Sequence, residues 1–285
     1  MIAIRLEGRL GNQLFQYAFI YAAAKKLNTS FYLDKSIENF MLPEYFEIKN
    51  DFLAVLDTRI FSIPGYKNIF RIHAKKAFYS FLNGVIFRGN KIVTTGQTAN
   101  IDGPTLFKPG HMYEGFFQSQ SYFEDFKNEI KDLYKIKKPF IDAFKQIQKQ
   151  FAKPGKIAVI HVRRTDYVDT NISLPITYYK KAIEIIDSPD IQYVFISDDP
   201  AFIEKEFGYI TNRYISKNNE IIDLQFLINA DFCILSNSSF SWWGAWLNNK
   251  PDKKVYVPKH WLGFNEREEY PYGILKNFNV NQIQV

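Results

Sequence analysis

The chain has 285 residues, which is enough for one large domain or two of ordinary size. Its hydrophobic fraction of 46% and charged fraction of 23% exclude a disordered chain and favour globular domains. The net charge of +6 suits anionic ligands, but the basic residues match no recognisable nucleic-acid-binding module, so a nucleic-acid partner is not expected.

The cysteine content and the hydropathy predict a protein of a reducing compartment. The single cysteine, Cys233, lies in an apolar run and has no partner for an intrachain disulfide. The sequence contains no run of about 18 apolar residues and no basic N-terminal segment followed by a long apolar one. We therefore expect a cytoplasmic protein.

The N-terminal residues predict a strand, a glycine turn and a helix. Met1–Leu6 alternate weakly between apolar and polar positions, and a turn over residues 7–13 precedes a helix that is predicted from about Leu14 to Leu27. The N–H groups and the dipole of a helix N-terminus favour an anionic or strongly polar ligand. Such turns are common, so a structural role and a ligand-binding role are equally open at this point.

A basic and aromatic stretch follows a second predicted strand, Phe31–Asp34. Residues 58–101 contain no Asp or Glu, and three of their basic residues share helical spacing, namely Lys67, Arg71 and Lys75. A helix that packs on the core through apolar residues, Phe81 among them, is the first interpretation. Contact with an anionic membrane surface or a lipid-linked acceptor is the second.

The middle of the chain predicts one more strand, Lys91–Thr95, and two helices. The first helix, Phe123–Tyr134, follows Ser119 and Ser121, either of which is a suitable N-cap. The second helix lies in the amphipathic segment 137–151, and the sequence Lys-Pro-Gly-Lys then interrupts it. We place the domain boundary at this interruption, which gives domains 1–152 and 153–285.

The second domain begins with an apolar run that ends in a polar cluster. Residues 157–160 are apolar without alternation, as expected of a strand that is buried on both faces of a parallel sheet. The sequence HVRRTDY, residues 161–167, then lies at the carboxyl end of the strand, where open α/β sheets bind ligands. Arg163 and Arg164 present donor forks that match phosphate oxygens. Because side chains alternate along a strand, we expect one arginine to face the ligand and the other to brace the site.

Two further strand ends carry polar residues. Ser197, Asp198 and Asp199 follow the predicted strand 193–196 and precede a proline, which is typical of a helix N-cap. The segment NSSFSWWGAWL, residues 237–247, follows another predicted strand. Its serines and backbone N–H groups suit a phosphate or a sugar. The alternative is a simple helix cap with the tryptophans in the core.

Four segments resemble motifs of one enzyme family. HVRRTDY resembles the His-x-Arg-Arg-x-Asp signature of the α-1,2-fucosyltransferases and of their α-1,6- and protein O-fucosylating relatives. The segment GRLGNQLFQYA, residues 8–18, resembles the N-terminal motif of the α-1,2 enzymes, and residues 113–119 and 237–247 resemble two others. Because these motifs span nearly the whole chain in the expected order, the chain is identified as a member of the bacterial-type α-1,2-fucosyltransferases, glycosyltransferase family 11.

The resemblance implies an α/β, GT-B-like fold with two facing Rossmann-type domains. Residues 153–285 would bind GDP-fucose, and 1–152 would form the acceptor side, with the C-terminal tail packed back on it. The implied reaction is inverting transfer of L-fucose from GDP-β-L-fucose to the 2-hydroxyl of a terminal β-galactose. No cofactor and no metal ion are implied, and the sequence contains no Asp-x-Asp motif. An α-1,6-type fucosyltransferase and a non-catalytic nucleotide-sugar or glycan-binding module are the alternatives.

The resemblance also implies roles for individual residues. Arg163 would stabilise the departing diphosphate, with Arg164 as the alternative, and Asp166 would be a buried partner of an arginine or of His161. Donor contacts are expected from Gly11, Asn12, Gln13, His161, Arg163, Ser197, Asp198, Asn237, Ser238, Ser239 and Phe240. Acceptor-side contacts are expected from Gln118, Ser119 and Trp242. The general base stays open among Asp166, Glu7, Asp34 and Glu114.

Overall fold

The apolar runs of the sequence form two parallel sheets in separate parts of the chain. The computed structural model describes residues 1–48, 68–94, 103–151 and 155–285. The chain divides into two compact units, Met1–Lys135 and Ile136–Val285. The helix Lys138–Gln148 belongs to the second unit, whereas the boundary inferred from the sequence follows it. Its Phe144 ring packs edge-on against Phe226 of the second unit, with 5.0 Å between the ring centroids.

The first unit contains a four-stranded parallel sheet. Its strands are β1 (Ile2–Arg5), β2 (Phe31–Asp34), β3 (Lys91–Val93) and β4 (Met112–Glu114), in the spatial order β2-β1-β4-β3. Its helices are α1 (Leu10–Lys26), α2 (Leu42–Tyr45), α3 (Asn68–Phe87) and α4 (Lys127–Leu133), with 3₁₀ turns at Gly103–Leu106, Gln120–Tyr122 and Glu124–Phe126. The 3₁₀ turns and α4 thus replace the single helix predicted over residues 123–134.

Helix α1 begins at Leu10, four residues before the predicted start. The chain reverses at Gly8, whose φ is 74°, and a Cβ atom at this position would collide with the side chain of Asn12. Because the turn is complete at Gly8, the next residues already form the first helical turn. The expected loop residues Gly11, Asn12 and Gln13 therefore lie in the helix.

Residues 68–87 of the basic stretch form α3, whose buried face differs from the expected one. Tyr79 and Phe87 are buried and join a core cluster with Tyr32. Phe81 lies on the opposite side of the helix and is 71% exposed, so its predicted core position is wrong. Lys67 and Thr95, which belong to the predicted elements, lie outside the described residues.

The second unit contains a six-stranded parallel sheet. Its strands are β5 (Lys156–Val162), β6 (Ile191–Ser197), β7 (Arg213–Ile215), β8 (Phe232–Ile234), β9 (Lys254–Pro258) and β10 (Asn281–Ile283). The spatial order β10-β9-β8-β5-β6-β7 is that of a doubly wound Rossmann-type sheet. The order reverses between β5 and β8, so the crevice at their carboxyl ends is the expected ligand position. The C-terminal tail forms β10 and extends this second sheet.

The helices of the second unit lie before and between its strands. They are α5 (Lys138–Gln148), α6 (Thr165–Asp169), α7 (Ile176–Ile186), α8 (Pro200–Phe207), α9 (Glu220–Ile228) and α10 (Ser239–Leu247). None of the helices in the described ranges is both long enough and apolar enough to cross a bilayer. Strand β5 is longer than predicted and includes His161 and Val162, so Arg163 is the first residue after it.

Candidate functional site

A buried histidine joins the two strands at which the order of the second sheet reverses. His161 lies near the end of β5, and its Nδ1 atom is 2.7 Å from Oγ of Ser236, just beyond the end of β8. Its ring also lies 5.5 Å from the ring of Phe240. The HVRRTDY and NSSF segments, which are about 75 residues apart in sequence, therefore meet at this strand edge.

His161 is electrically neutral in this position. Burial, together with the nearby charge of Arg163, lowers its pKa to about 3. A neutral imidazole has one donor and one acceptor nitrogen, which suits a fixed hydrogen bond to Ser236. The histidine therefore positions the two strand ends, and its pKa is too low for a proton donor near neutral pH.

We expect acid to destabilise the protein through His161. An unfolded histidine titrates near ~6.5, whereas the folded pKa is about 3, so the unfolded state binds more protons between these values. Stability should fall as the pH decreases through this window, by about 2 kcal/mol between pH 7.5 and pH 5. His161→Gln keeps a polar group beside Ser236 but does not titrate. Urea unfolding of both proteins at the two pH values measures the effect, and an identical acid dependence in the variant would contradict it.

The two adjacent arginines diverge, as expected, although both lie beyond the end of β5. Nη1 of Arg163 lies 3.1 Å from Oδ2 of Asp198, and Nη2 lies 2.7 Å from Oδ1 of Asp166. The guanidinium of Arg164 instead lies 3.7 Å over the ring of Phe202, and its Nε is 3.3 Å from Oδ2 of Asp199. Arg164 is thus clamped against α8, which is the geometry of a bracing residue.

Asp198 connects the ends of β5 and β6. Its Oδ1 accepts a hydrogen bond of 2.9 Å from the backbone N–H of Arg164, and its Oδ2 accepts one from the hydroxyl of Thr165. Asp199 caps α8, as predicted, by accepting from the N–H of Phe202 at 3.0 Å. The hydroxyl of Ser197 accepts from the N–H of Asp199 and stabilises the same turn.

Asp166 pairs with an arginine, as expected, but it is not buried. Its side chain is 60% exposed and lies in the first turn of α6. Partial burial acts to raise its pKa, but the hydrogen bond and the charge of Arg163 outweigh this and leave the pKa below its ordinary value. Asp166 therefore stays ionised at neutral pH and serves as the counterion of Arg163.

The serine-rich segment places a helix N-terminus at the same strand edge. Helix α10 begins at Ser239 with Ser238 in the N-cap position, and Ser239 and Phe240 are half-buried. Asn237 is 1% exposed; its Nδ2 donates to the carbonyl of Ile172 at 2.9 Å, and its Oδ1 has no hydrogen-bond partner in the described part of the chain. The N–H groups at a helix N-terminus, supported by the dipole, suit a phosphate.

Trp242 lies in the core and not on an acceptor surface. It is completely buried, and its indole N–H donates to the carbonyl of Ile274 at 2.9 Å. Its ring lies 5.0 Å from Trp243 and 4.9 Å from Phe278. The acceptor-side assignment that the resemblance implied for this residue is therefore not supported by its position.

In the first unit, side-chain hydrogen bonds join two of the sequence motifs. Nε2 of Gln118 donates to Oδ1 of Asn12 at 2.9 Å. Gln13 was expected to contact the donor, but its side chain is fully buried, and its Nε2 donates to the carbonyl of Asn39 at 2.8 Å. Ser119 accepts from the N–H of Ser121 at 3.2 Å and so caps the 3₁₀ turn that follows.

Gln16, to which the sequence analysis gave no role, joins two strand ends of the first sheet. Gln16 is fully buried, accepts from the N–H of Glu7 at 3.2 Å and donates to the carbonyl of Gly115 at 2.9 Å. It thereby fixes the carboxyl ends of β1 and β4, the neighbouring inner strands of the first sheet. Gln13 and Gln16 lie three residues apart among the mostly apolar buried residues of α1. Two glutamines in such surroundings indicate specific hydrogen-bond partners.

The carboxylates considered as a general base have different surroundings in the first unit. Arg5 is 3.4 Å from Asp34 through Nε and also pairs with Glu114 through Nη1. Glu7 has no ion pair in the described ranges, and burial raises its pKa against the opposing charge of Arg5. No three His, Cys, Asp or Glu side chains cluster as a metal site among the described residues.

Comparison with curated proteins finds relatives along most of the chain. It is 29% identical to the Escherichia coli alpha-1,2-colitosyltransferase, over 94% of both chains. It is 27% identical to the E. coli O-antigen biosynthesis glycosyltransferase WbnK, over 93% of this chain and 96% of the relative. A Caenorhabditis elegans galactoside 2-alpha-L-fucosyltransferase is 25% identical over 90% of this chain and 71% of the relative.

Solved fucosyltransferase structures share the fold at low sequence identity. The NodZ alpha-1,6-fucosyltransferase soaked with GDP-fucose aligns with a TM-score of 0.53 and 13% identity, over 86% of this chain and 92% of that one. Arabidopsis thaliana FUT1 aligns with a TM-score of 0.54 and 12% identity, over 90% and 70%. The expected GT-B-like α/β fold is thereby confirmed. The family model of glycosyl transferase family 11 matches residues 1–269, and the chain belongs to this family.

Proposed function

We propose that this family 11 glycosyltransferase transfers L-fucose, with inversion, from GDP-β-L-fucose to the 2-hydroxyl of a terminal β-galactose. The observation that carries the proposal is a pair of groups at one sheet edge that suit the oxygens of a diphosphate. Arg163 follows β5, and the N-terminus of α10 at Ser239 follows β8, its neighbour at the reversal of strand order. The name of the C. elegans relative supports the acceptor and the linkage.

The chemistry needs a stabilised leaving group. Breaking the bond between the anomeric carbon and the diphosphate oxygen leaves positive charge on the sugar and negative charge on GDP. Guanidinium donors and helix N-terminal N–H groups stabilise the charge that develops on the phosphate. The acceptor hydroxyl forms the new C–O bond from the opposite face and loses its proton, so a β-linked donor gives an α-linked product.

In this proposal Arg163 and the N-terminus of α10 do what a divalent ion does in enzymes with an Asp-x-Asp motif. The sequence has no such motif. We therefore expect that EDTA leaves turnover unchanged. The test is incubation with GDP-fucose and lactose, with and without EDTA, followed by GDP release, product mass and linkage analysis by NMR. Fucose on another hydroxyl would contradict the proposed linkage, and loss of turnover in EDTA would contradict metal independence.

A colitose donor is the second candidate, because the E. coli relative at 29% identity is named an alpha-1,2-colitosyltransferase. Both donors would present the same diphosphate to Arg163, so the described contacts of this residue suit either sugar. Parallel assays with GDP-fucose and GDP-colitose distinguish the two. A higher kcat/KM for GDP-colitose would assign the chain to colitose transfer.

We also propose that the protein works at the surface of an anionic membrane. The exposed side of α3 supports this proposal. Phe81 and Val85 of this helix are 71% and 59% exposed, although they are large apolar residues. Residues 58–101 contain no acidic side chain and seven basic ones. Apolar residues on a helix combined with surrounding positive charge favour an anionic lipid surface.

We expect the protein to float with phosphatidylglycerol vesicles at low salt and not with phosphatidylcholine vesicles. Phe81→Asp should weaken this binding by about tenfold or more, because it places a negative charge on the apolar side. Ile185→Asp is the matched control, since Ile185 is 56% exposed on a helix of the second unit. Failure of the wild-type protein to float, or equal loss in both variants, would contradict the membrane contact.

A further inference from the structure

We propose that a cavity in the first unit binds an anionic group of the sugar acceptor, either a carboxylate or a phosphate. The cavity has a volume of about 280 Å³ and is lined by Arg5, Ser36, Ile37, Lys76 and Ser80. The inference rests on the proposed acceptor role of this unit, and it specifies the acceptor as a charged glycan.

The cavity lies at the edge of the first sheet where ligands are expected. Arg5 is the last residue of β1, and Ser36 follows the end of β2 by two residues. Open α/β sheets bind ligands outside the carboxyl ends of their strands. Lys76 and Ser80 are four residues apart on α3, so their side chains share one face of the helix.

A single buried carboxylate holds the three elements that line the cavity. Asp34 is completely buried; its Oδ1 accepts from the N–H of Ser36 at 2.8 Å, and its Oδ2 accepts from Nδ2 of Asn83 on α3 at 2.8 Å. Its Oδ2 also accepts from Nε of Arg5 at 3.4 Å. Because Asp34 joins β1, the loop after β2 and α3, it fixes the backbone segments that carry the lining, whose Ile37, Lys76 and Ser80 side chains are exposed.

The charge of the lining favours an anion. Asp34 pairs with Nε of Arg5, and Glu114 pairs with Nη1. The arginine side chain is nevertheless 25% exposed and lines the cavity. Lys76 has no ion pair within the described ranges. The lining contains no carboxylate of its own and offers two hydroxyl groups and the ammonium of Lys76, whereas the charge of Arg5 is already balanced by Asp34 and Glu114. Charged donors of this kind form strong hydrogen bonds to carboxylate or phosphate oxygens.

The size of the cavity indicates a small part of a glycan. Its volume of about 280 Å³ is close to the lower end of small-molecule pockets, ~300 Å³. Ile37 adds an apolar wall that suits the C–H face of a sugar ring. An acidic sugar residue would supply a carboxylate, and a phosphorylated acceptor would supply a phosphate; both present the same anionic oxygens.

Anion binding is tested without any transfer reaction. NMR or calorimetric titrations of the full chain saturated with GDP, which fills the proposed diphosphate site at Arg163, should show binding of inorganic phosphate and of glucuronate at low ionic strength. Lys76→Ala should weaken it by about tenfold, the loss of one charge-assisted contact. Lys145→Ala, in the second unit, is the matched control and should bind like the wild type. Thermal unfolding checks that both variants remain folded.

The outcomes separate this inference from the proposed function. Preference for glucuronate supports an acidic-sugar acceptor, and preference for phosphate supports a phosphorylated one. No binding of either anion, or equal binding by Lys76→Ala, overturns the site, whatever the transfer assays show. In transfer assays with a glucuronate-bearing β-galactoside and with lactose, Lys76→Ala should raise KM for the charged acceptor alone. If the wild type fails to transfer fucose at all, the proposed reaction is wrong while the titrations still decide the site.

Discussion

Replacement of Arg163 by alanine is expected to lower kcat by about 100-fold or more, the cost of removing one preorganised charged donor from a developing anion. Arg163 is the residue at the end of β5 whose side chain is held between Asp166 and Asp198. The loss should appear mainly in kcat, because the diphosphate gains negative charge in the transition state. Steady-state transfer from GDP-fucose to lactose measures it.

Two further variants make the Arg163 result specific. Arg163→Lys keeps the charge but loses the planar donor fork, so it should restore only part of the rate. Arg164→Ala removes a guanidinium that lies on Phe202 and pairs with Asp199, so its effect should be smaller than that of Arg163→Ala. A larger loss in Arg164→Ala would reverse the two roles. Full turnover by Arg163→Ala would show that Arg163 does not stabilise the leaving group.

Trp242→Ala should destabilise the protein by about 3–5 kcal/mol, as is usual when a large aromatic residue is removed from a core. Trp242 is fully buried and packs against Trp243 and Phe278. Urea unfolding at neutral pH measures the change in the free energy of unfolding.

Trp242→Phe separates packing from acceptor binding. It keeps most of the aromatic volume but leaves the carbonyl of Ile274 without its donor, which costs about 1–3 kcal/mol. Because Trp242 does not reach the surface, this variant should keep the wild-type KM for lactose. A raised KM for lactose with unchanged stability would show that Trp242 contributes to acceptor binding.

The features that the sequence predicted well depend on local patterns. The apolar run at residues 157–160 indicated a doubly buried strand, and the structure places it in the centre of the second sheet as part of β5. The Asp-Pro pair at residues 199–200 indicated a helix start, and Asp199 caps α8. The divergence of Arg163 and Arg164 was expected from the alternation of side chains along a strand, and the two arginines do diverge although both lie beyond the end of β5.

The features that the sequence did not reveal depend on distant partners. The hydrogen bond of Gln16 to Gly115 joins residues 99 positions apart, and nothing in the local pattern of α1 names that partner. The same holds for Gln13 and Asn39, and for Trp242 and Ile274. Phe81 was placed on the wrong side of α3 because apolar residues occur on more than one side of this helix, and only packing selects the buried one.

The donor diphosphate should bind at the carboxyl ends of β5 and β8, and a crystal structure of the full chain with GDP is the measurement that decides this. We expect phosphate oxygens within hydrogen-bond distance of the Arg163 guanidinium and of the backbone N–H groups at the start of α10, near Ser239 and Phe240. A diphosphate bound elsewhere, with Arg163 still paired to Asp166 and Asp198 alone, would contradict it.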